Sequence, residues 1–312
     1  MQSIFVVGPT AVGKSAVALE LARLVNAEIV SADSMQVYRG MDIGTAKPTD
    51  AERAAVPHHL LDICEVKELF DVKQFVDRAS SAISDISSRG KTPLVVGGTG
   101  LYVRALRRGL FEGPSRNPKL RERLEKMSVP ELYDELQRVD PLTTQTIDRH
   151  NPRRLVRALE VFYETGKPIA EFQGEWKTEN IKQERGHCFG FCLNRERYDL
   201  YERIEQRVDA QIAAGWVDEV RRLMARGLEE NKTAMQAAGY REFVAHLSGE
   251  LALSGAIAQI KTRTRQLARR QLTWFRREPQ LDWIEIRRDE PSGDTARRIH
   301  AIIKEREKDT AI

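Results

Sequence analysis

The chain has 312 residues, 41% of them hydrophobic and 31% charged. That length lets a compact fold bury roughly three quarters of its unfolded surface, as one large domain or a core with a small companion. No run of about 18 apolar residues occurs, which argues against a membrane-spanning helix. The opening Met1–Thr10 reads as the start of a strand rather than a signal peptide.

Three cysteines cannot staple a chain of this size and fit a reducing, cytoplasmic setting. Basic residues exceed acidic ones by 50 to 46, a net charge of +4. Residues 1–150 hold 20 of each sign, so the surplus lies in the second half. It is densest over 259–277, with seven basic side chains and no acid. Such a strip is either a solvated helix face or a surface for a polyanion. Trp274 and Phe275 within it could stack bases or pack in the core.

Along the chain, Ile4–Val7 is a short apolar run closed by Gly8, which predicts a buried parallel strand. A helix follows from about Lys14, with Ala18, Leu21, Ala22 and Val25 on its apolar stripe. Glu28–Ser31 predicts a second strand, closed by Ala32 and Asp33, and Pro93–Val96 a third, running into Gly97-Gly98-Thr99-Gly100. Strand–helix–strand order with near-continuous apolar strands implies an α/β fold, a parallel sheet flanked by helices. Ligands of such sheets bind beyond the C-terminal strand ends, where Gly8, Asp33 and Thr99 fall.

From 113 to 186 strand patterns give way to helix starts, which predicts an inserted all-helical domain between core segments 1–112 and 187–312. Ser128 and Glu131 have capping-box spacing, while Asp140-Pro141 and Asn151-Pro152 each set a capping side chain before a first-turn proline. The helix from Pro152 should end near Gly166, with Leu155, Leu159 and Phe162 facing inward. Beyond the insert, Cys188–Leu193 predicts a strand, 199–227 and 251–277 helices, and Asp282–Ile286 a late strand. His187, Cys188 and Cys192 are better explained by strand alternation than by a zinc site, which needs four ligands. His58, His59 and Cys64 are read as structural.

Gly8-Pro9-Thr10-Ala11-Val12-Gly13-Lys14-Ser15 fits G-x-x-x-x-G-K-[ST] after a strand and before a helix. This marks a P-loop NTPase-like cradle, in which backbone amides and a helix N-terminus hold a di- or triphosphate. Lys14 would reach the terminal phosphate oxygens and the Ser15 hydroxyl would ligate Mg²⁺. Asp33 could cap the next turn, hold the metal through water, or act as a base. No guanine-reading Asn-Lys-x-Asp follows, and no acid follows the strand at 93–96, which disfavours a GTPase or motor ATPase. A kinase of a small metabolite or nucleotide, and an RNA-binding ATPase without group transfer, remain open on these residues.

Further segments carry a resemblance: 31–48 (SADSMQVYRGMDIGTAKP), 57–63 (PHHLLDI), 97–102 (GGTGLY), 153–161 (RRLVRALEV), 238–243 (AGYREF) and 264–277 (TRQLARRQLTWFRR). With the phosphate loop, this ordered set resembles the bacterial tRNA dimethylallyltransferase (tRNA isopentenyltransferase) family over nearly the whole chain. The resemblance implies transfer of a dimethylallyl group from dimethylallyl diphosphate to N6 of the adenosine 3′-adjacent to the anticodon (position 37), with Mg²⁺ and release of diphosphate. Prenylation of free adenine nucleotides is the nearer alternative. The loop would then grip a departing diphosphate, with Lys14 and Arg207 stabilising its charge and Arg203 a lesser candidate. Asp33 becomes the general base, with Thr99 near the reacting adenine.

For the tRNA, the resemblance implies contacts from Asp33, Ser34, Met35, Gln36 and Thr99, with Gln36 on a base edge. It adds Arg121, Arg153, Arg154, Leu155, Val156 and Arg157 in the insert, then Gly239, Tyr240 and Arg241. The partner is an anticodon stem-loop whose adenine flips into a channel. Nothing in the sequence marks an obligate interface, so a monomer is expected.

Overall fold

The computed structural model describes residues 3–110, 113–114, 117–175 and 188–310. In chain order the first segment gives β1 (Ile4–Val7), α1 (Lys14–Leu24), β2 (Ala27–Ser31), α2 (Asp50–Ala55), β3 (His58–His59), α3 (Val72–Ser88), β4 (Thr92–Gly97) and α4 (Gly100–Arg108). Helices α5 (Pro118–Glu125), α6 (Val129–Val139), α7 (Pro141–Thr144), α8 (Pro152–Thr165) and α9 (Ile169–Glu175) follow. The chain continues with β5 (Phe189–Arg195), α10 (Arg197–Ala213), α11 (Trp216–Met224), α12 (Tyr240–Leu247), α13 (Leu253–Phe275), β6 (Asp282–Ile286) and α14 (Ser292–Thr310). Among the described residues no helix is long and apolar enough to cross a membrane.

The chain forms two compact units, one of residues 1–107 with 185–312 and one of residues 108–184. The first holds a six-stranded sheet in the order β3-β2-β4-β1-β5-β6, with every pairing parallel. β1 is central because its four residues are apolar on both faces: Phe5 and Val7 join one core cluster, Ile4 and Val6 the other. α3, α4, α11, α12 and α13 contribute to the first cluster, and α1, α10 and α14 to the second. Cys192 on β5 is buried in the sheet core, consistent with strand alternation; His187 lies outside the described residues.

One expected helix is broken. The stretch 199–227 divides into α10 and α11 at Gly215, which sits at φ 95° as the N-cap of α11. Only glycine adopts that conformation without strain.

The second unit has its own core of Leu124, Leu132, Leu136, Leu155, Val156, Leu159 and neighbouring side chains. Its starts are those the sequence marks. Ser128 and Glu131 form a reciprocal capping box at α6, Asp140 caps α7, and Asn151 caps α8, which ends on left-handed Gly166.

Candidate active site

The loop between β1 and α1 is shaped by two glycines. Gly8 has φ 144°, and a Cβ there would lie 2.6 Å from the Leu193 carbonyl of β5. Gly13 has φ 108° and caps α1 without a side chain. The first-turn amides of α1, Lys14 and Ser15 among them, have no intrahelical acceptor, an arrangement suited to an anion. Lys14 Nζ donates to the Pro9 carbonyl at 2.8 Å, bridging the mouth of the loop.

Four side chains from distant elements brace the loop. Arg195 at the end of β5 is buried; its Nε donates to Val12 O at 2.9 Å and its Nη1 to Asp199 Oδ2 at 2.9 Å. On α10, Arg203 Nε donates to Ala11 O at 3.0 Å and Arg207 Nη2 to Thr10 Oγ1 at 2.5 Å. From α13, Gln271 Oε1 accepts the Thr10 amide at 2.8 Å while its Nε2 donates to Gly98 O at 3.0 Å. Sequence reading found Arg207 and Arg203 but missed Arg195 and Gln271, since no local pattern marks a residue that reaches the loop across the fold.

Burial pulls the Lys14 ammonium down to about 8; Asp33 opposes the shift and Arg207 adds to it. Burial likewise lowers the Arg207 guanidinium to about 10, again with Asp33 opposing. Arg207 Nε is buried with no hydrogen-bond partner among the described residues. An unpaired buried donor beside a second desolvated cation costs stability, and a bound polyanion would relieve that cost.

Asp33 follows β2 and does what its turn position allows: Oδ1 accepts the Met35 amide at 2.8 Å and the Gln36 amide at 3.4 Å. Oδ2 makes no hydrogen bond among the described residues and remains available. Thr99 Oγ1 accepts the Ser34 amide at 3.1 Å, tying the Gly-rich turn after β4 to the 33–36 turn. Thr10, Lys14, Ser15, Asp33, Gln36 and Arg207 all line one cleft at the C-terminal ends of the strands. That juxtaposition places a carboxylate within the field of two cations at the mouth of an anion cradle.

Several expected RNA contacts have other work in the structure. Gln36 Oε1 accepts from Ser31 Oγ at 3.0 Å and Nε2 donates to Thr45 O at 3.1 Å, so the amide holds a loop. Leu155 and Val156 cannot offer side chains to RNA, because both are buried in the core of the helical unit. Arg121 and Arg157 converge on buried Glu160, Arg121 Nε at 2.8 Å and Arg157 Nη1 at 2.6 Å. Each still keeps partial exposure. Gly239 and Tyr240 are also buried, with the Tyr240 hydroxyl donating to Glu219 Oε1 at 2.7 Å. Arg153, Arg154 and Arg241 are exposed.

The basic strip divides along α13. Lys261 pairs with Asp209 at 2.7 Å, Arg263 with Glu242 at 2.5 Å, and Arg265 with Glu205. Arg269, Arg270, Arg276 and Arg277 are exposed. Phe275 is a core residue, while Trp274 packs over Gly100 and lies beneath the Arg104 guanidinium, 4.5 Å from its ring centre.

A model of the IPP transferase family matches residues 36–278. The tRNA dimethylallyltransferase of Syntrophobacter fumaroxidans is 44% identical over 306 residues, covering 97% of this chain and 87% of that protein. The one from Geobacter metallireducens is 48% identical over 286 residues, covering 90% and 92%. The crystal structure of the tRNA isopentenylpyrophosphate transferase from Bacillus halodurans superposes with a TM-score of 0.73 at 37% identity, covering 99% of this chain and 98% of that one. A eukaryotic dimethylallyltransferase acting on tRNA gives a TM-score of 0.77 at 29% identity, covering 91% and 73%. The family match begins after the phosphate loop.

Proposed function

The chain belongs to the IPP transferase family, and we propose that it moves a dimethylallyl group from dimethylallyl diphosphate to N6 of the adenosine 3′-adjacent to the anticodon in tRNA. In this reaction the bond between the allylic carbon and diphosphate oxygen breaks, and the N6–carbon bond forms. The N6 proton passes to a carboxylate, and diphosphate leaves. The single observation that carries the reading is the shared cleft of Lys14, Arg207 and Asp33. The cleft supplies cations for a leaving diphosphate and an acceptor for the amine proton; a kinase would use the same pair, and the IPP transferase match is what favours prenyl over phosphoryl transfer.

Charge grows on the diphosphate oxygens as the allylic carbon becomes cationic. Lys14, the unspent Arg207 Nε and the loop amides meet that charge without reorganising, where fixed electrostatics contribute most. Asp33 Oδ1 is held by its turn, which fixes the carboxylate plane and leaves Oδ2 to orient the amine and take its proton. Thr99 positions the same turn through Ser34.

The residues fit Mg²⁺ in one particular way. Ser15 is exposed at the loop's end, and no trio of carboxylate, histidine or cysteine ligands occurs among the described residues. Such a donor set suits an ion that keeps most of its waters and takes its remaining ligands from phosphate. Held by Ser15 Oγ and diphosphate oxygens, Mg²⁺ would neutralise part of the leaving group's charge.

A stacked anticodon-loop adenine must leave the stack to reach a carboxylate in this cleft, at a cost of a few kcal/mol. Exposed Arg153, Arg154 and Arg241 supply phosphate contacts that offset it. Comparing an anticodon stem-loop with free AMP as acceptor tests the polymer assignment. The stem-loop should be used by far the more efficiently, and equal turnover of AMP would refute it.

A further inference from the structure

One buried acid has no part in the reaction as derived above. Glu219, on α11, is almost fully buried. Its Oε2 accepts the amides of Asp42 at 2.9 Å and Ile43 at 2.6 Å, and its Oε1 accepts the Gly44 amide at 3.1 Å and the Tyr240 hydroxyl at 2.7 Å. Four donors satisfy one carboxylate, three of them successive backbone amides of a single turn. The turn is pressed close: a Cβ on Gly44 would lie 2.1 Å from Trp216 Nε1 and 2.6 Å from the Tyr240 oxygen.

This turn leads directly into the cleft. Thr45, Ala46 and Pro48 line it, a stretch we call its wall; Ala18, Ile29 and Val96 line it too. Carbon-rich side chains are therefore among those lining the cleft that Lys14 and Arg207 share. Helix α10 links the two ends, since Arg207 reaches Thr10 and Gln211, one turn later, donates from Nε2 to Ile43 O at 2.6 Å. One helical turn separates these anchors by about 6 Å along the axis. An allylic chain grows by roughly 5 Å per isoprene unit from its bond lengths.

Resting on the reaction proposed above, we propose that Glu219 is a positioning residue. By gripping the 42–44 amides it fixes the Thr45–Pro48 wall and limits the transferred chain to one isoprene unit. A carboxamide cannot replace it, because its NH₂ would face amide donors. Glu219→Gln should therefore loosen the wall from its Asp42–Gly44 end, where Gln36 does not hold it, with the phosphate loop and Asp33 untouched.

The experiment offers dimethylallyl and geranyl diphosphate together, at equal concentration, with an anticodon stem-loop as acceptor. Mass spectrometry reads the ratio of ten-carbon to five-carbon product. Glu219→Gln should raise that ratio roughly tenfold or more, as expected for a lost hydrophobic fit, and raise KM for dimethylallyl diphosphate more than it lowers kcat. Glu219→Asp, which keeps the charge, should fall between wild type and Gln. If Glu219→Gln shows no cooperative melt, Gln211→Ala decides, and should move the ratio the same way. Variants that melt lower but keep the wild-type product ratio overturn the inference alone. A wild-type enzyme that transfers nothing to the stem-loop overturns the reaction assignment and this inference with it.

Discussion

The backbone amide of Thr10 donates to Gln271 Oε1 at 2.8 Å across 261 positions of sequence. Because Gln271 Nε2 also reaches Gly98 O, one side-chain amide joins the phosphate loop to the turn that carries Thr99. Gln271→Ala should cost about 1–2 kcal/mol of stability and lower turnover, since both loops lose their mutual reference. Gln271→Glu should do more damage, as a carboxylate would face the Gly98 carbonyl. Urea denaturation and a prenyl-transfer assay on the two variants check this ordering.

Asp33 both caps a turn and leaves an oxygen unspent, so two substitutions separate its roles. Asp33→Asn keeps an acceptor for the Met35 amide and should stay close to wild-type stability. Turnover should fall roughly 10²–10⁴-fold for want of a base. Asp33→Ala should lose the same activity and about 1 kcal/mol of stability besides. Asparagine retaining near-full turnover would remove Asp33 from proton transfer.

Lys14 titrates near 8 instead of its ordinary 10.5 because it is buried. Between those values the unfolded chain holds more protons than the folded one, so this group's contribution makes the fold more stable as pH rises from about 8. Pyrophosphate binding runs the other way. The anion favours charged Lys14, so its affinity should decline with rising pH above about 8, with uptake of a proton on binding. Calorimetric titration at pH 7, 8 and 9 measures the decline. In Lys14→Ala the break near 8 should vanish.

Within the helical unit, arginines of similar sequence texture divide by what they touch. Arg154 is exposed on the first turn of α8, whereas Arg121 and Arg157 share buried Glu160. Arg154→Ala should weaken tRNA binding and reduce the slope of log affinity against log salt by about 0.7–0.9, with stability unchanged. Arg121→Ala should destabilise the unit by roughly 2–3 kcal/mol, as it strips one partner from a buried carboxylate. Salt-dependent binding and thermal melts of both variants distinguish these outcomes.

Local chemistry explains which parts of this molecule were legible from sequence. β1, the phosphate loop and α1 were readable because strand, glycines and helix start are contiguous, and the capped helices α6 to α8 because a cap is a four-residue signal. The break at Gly215 was hidden by helix-compatible residues on both sides. The two-residue β3 is too short to carry a strand pattern, whereas α3 and α4, though unassigned from sequence, do carry local signals, an Asp71 cap on α3 and an inward Tyr102, Val103 and Leu106 face on α4. Leu155 and Val156 sit among arginines in sequence but on the inward side of α8. Gln36 could not be known to be engaged until Thr45 was folded back upon it.

Incubating an anticodon stem-loop with the protein, dimethylallyl diphosphate and Mg²⁺, then weighing the RNA, tests the central claim most directly. The account predicts a gain of one C₅H₈ unit on the adenosine beside the anticodon, matched by one released pyrophosphate. An RNA of unchanged mass, or product that carries a phosphoryl group from ATP instead, would contradict it.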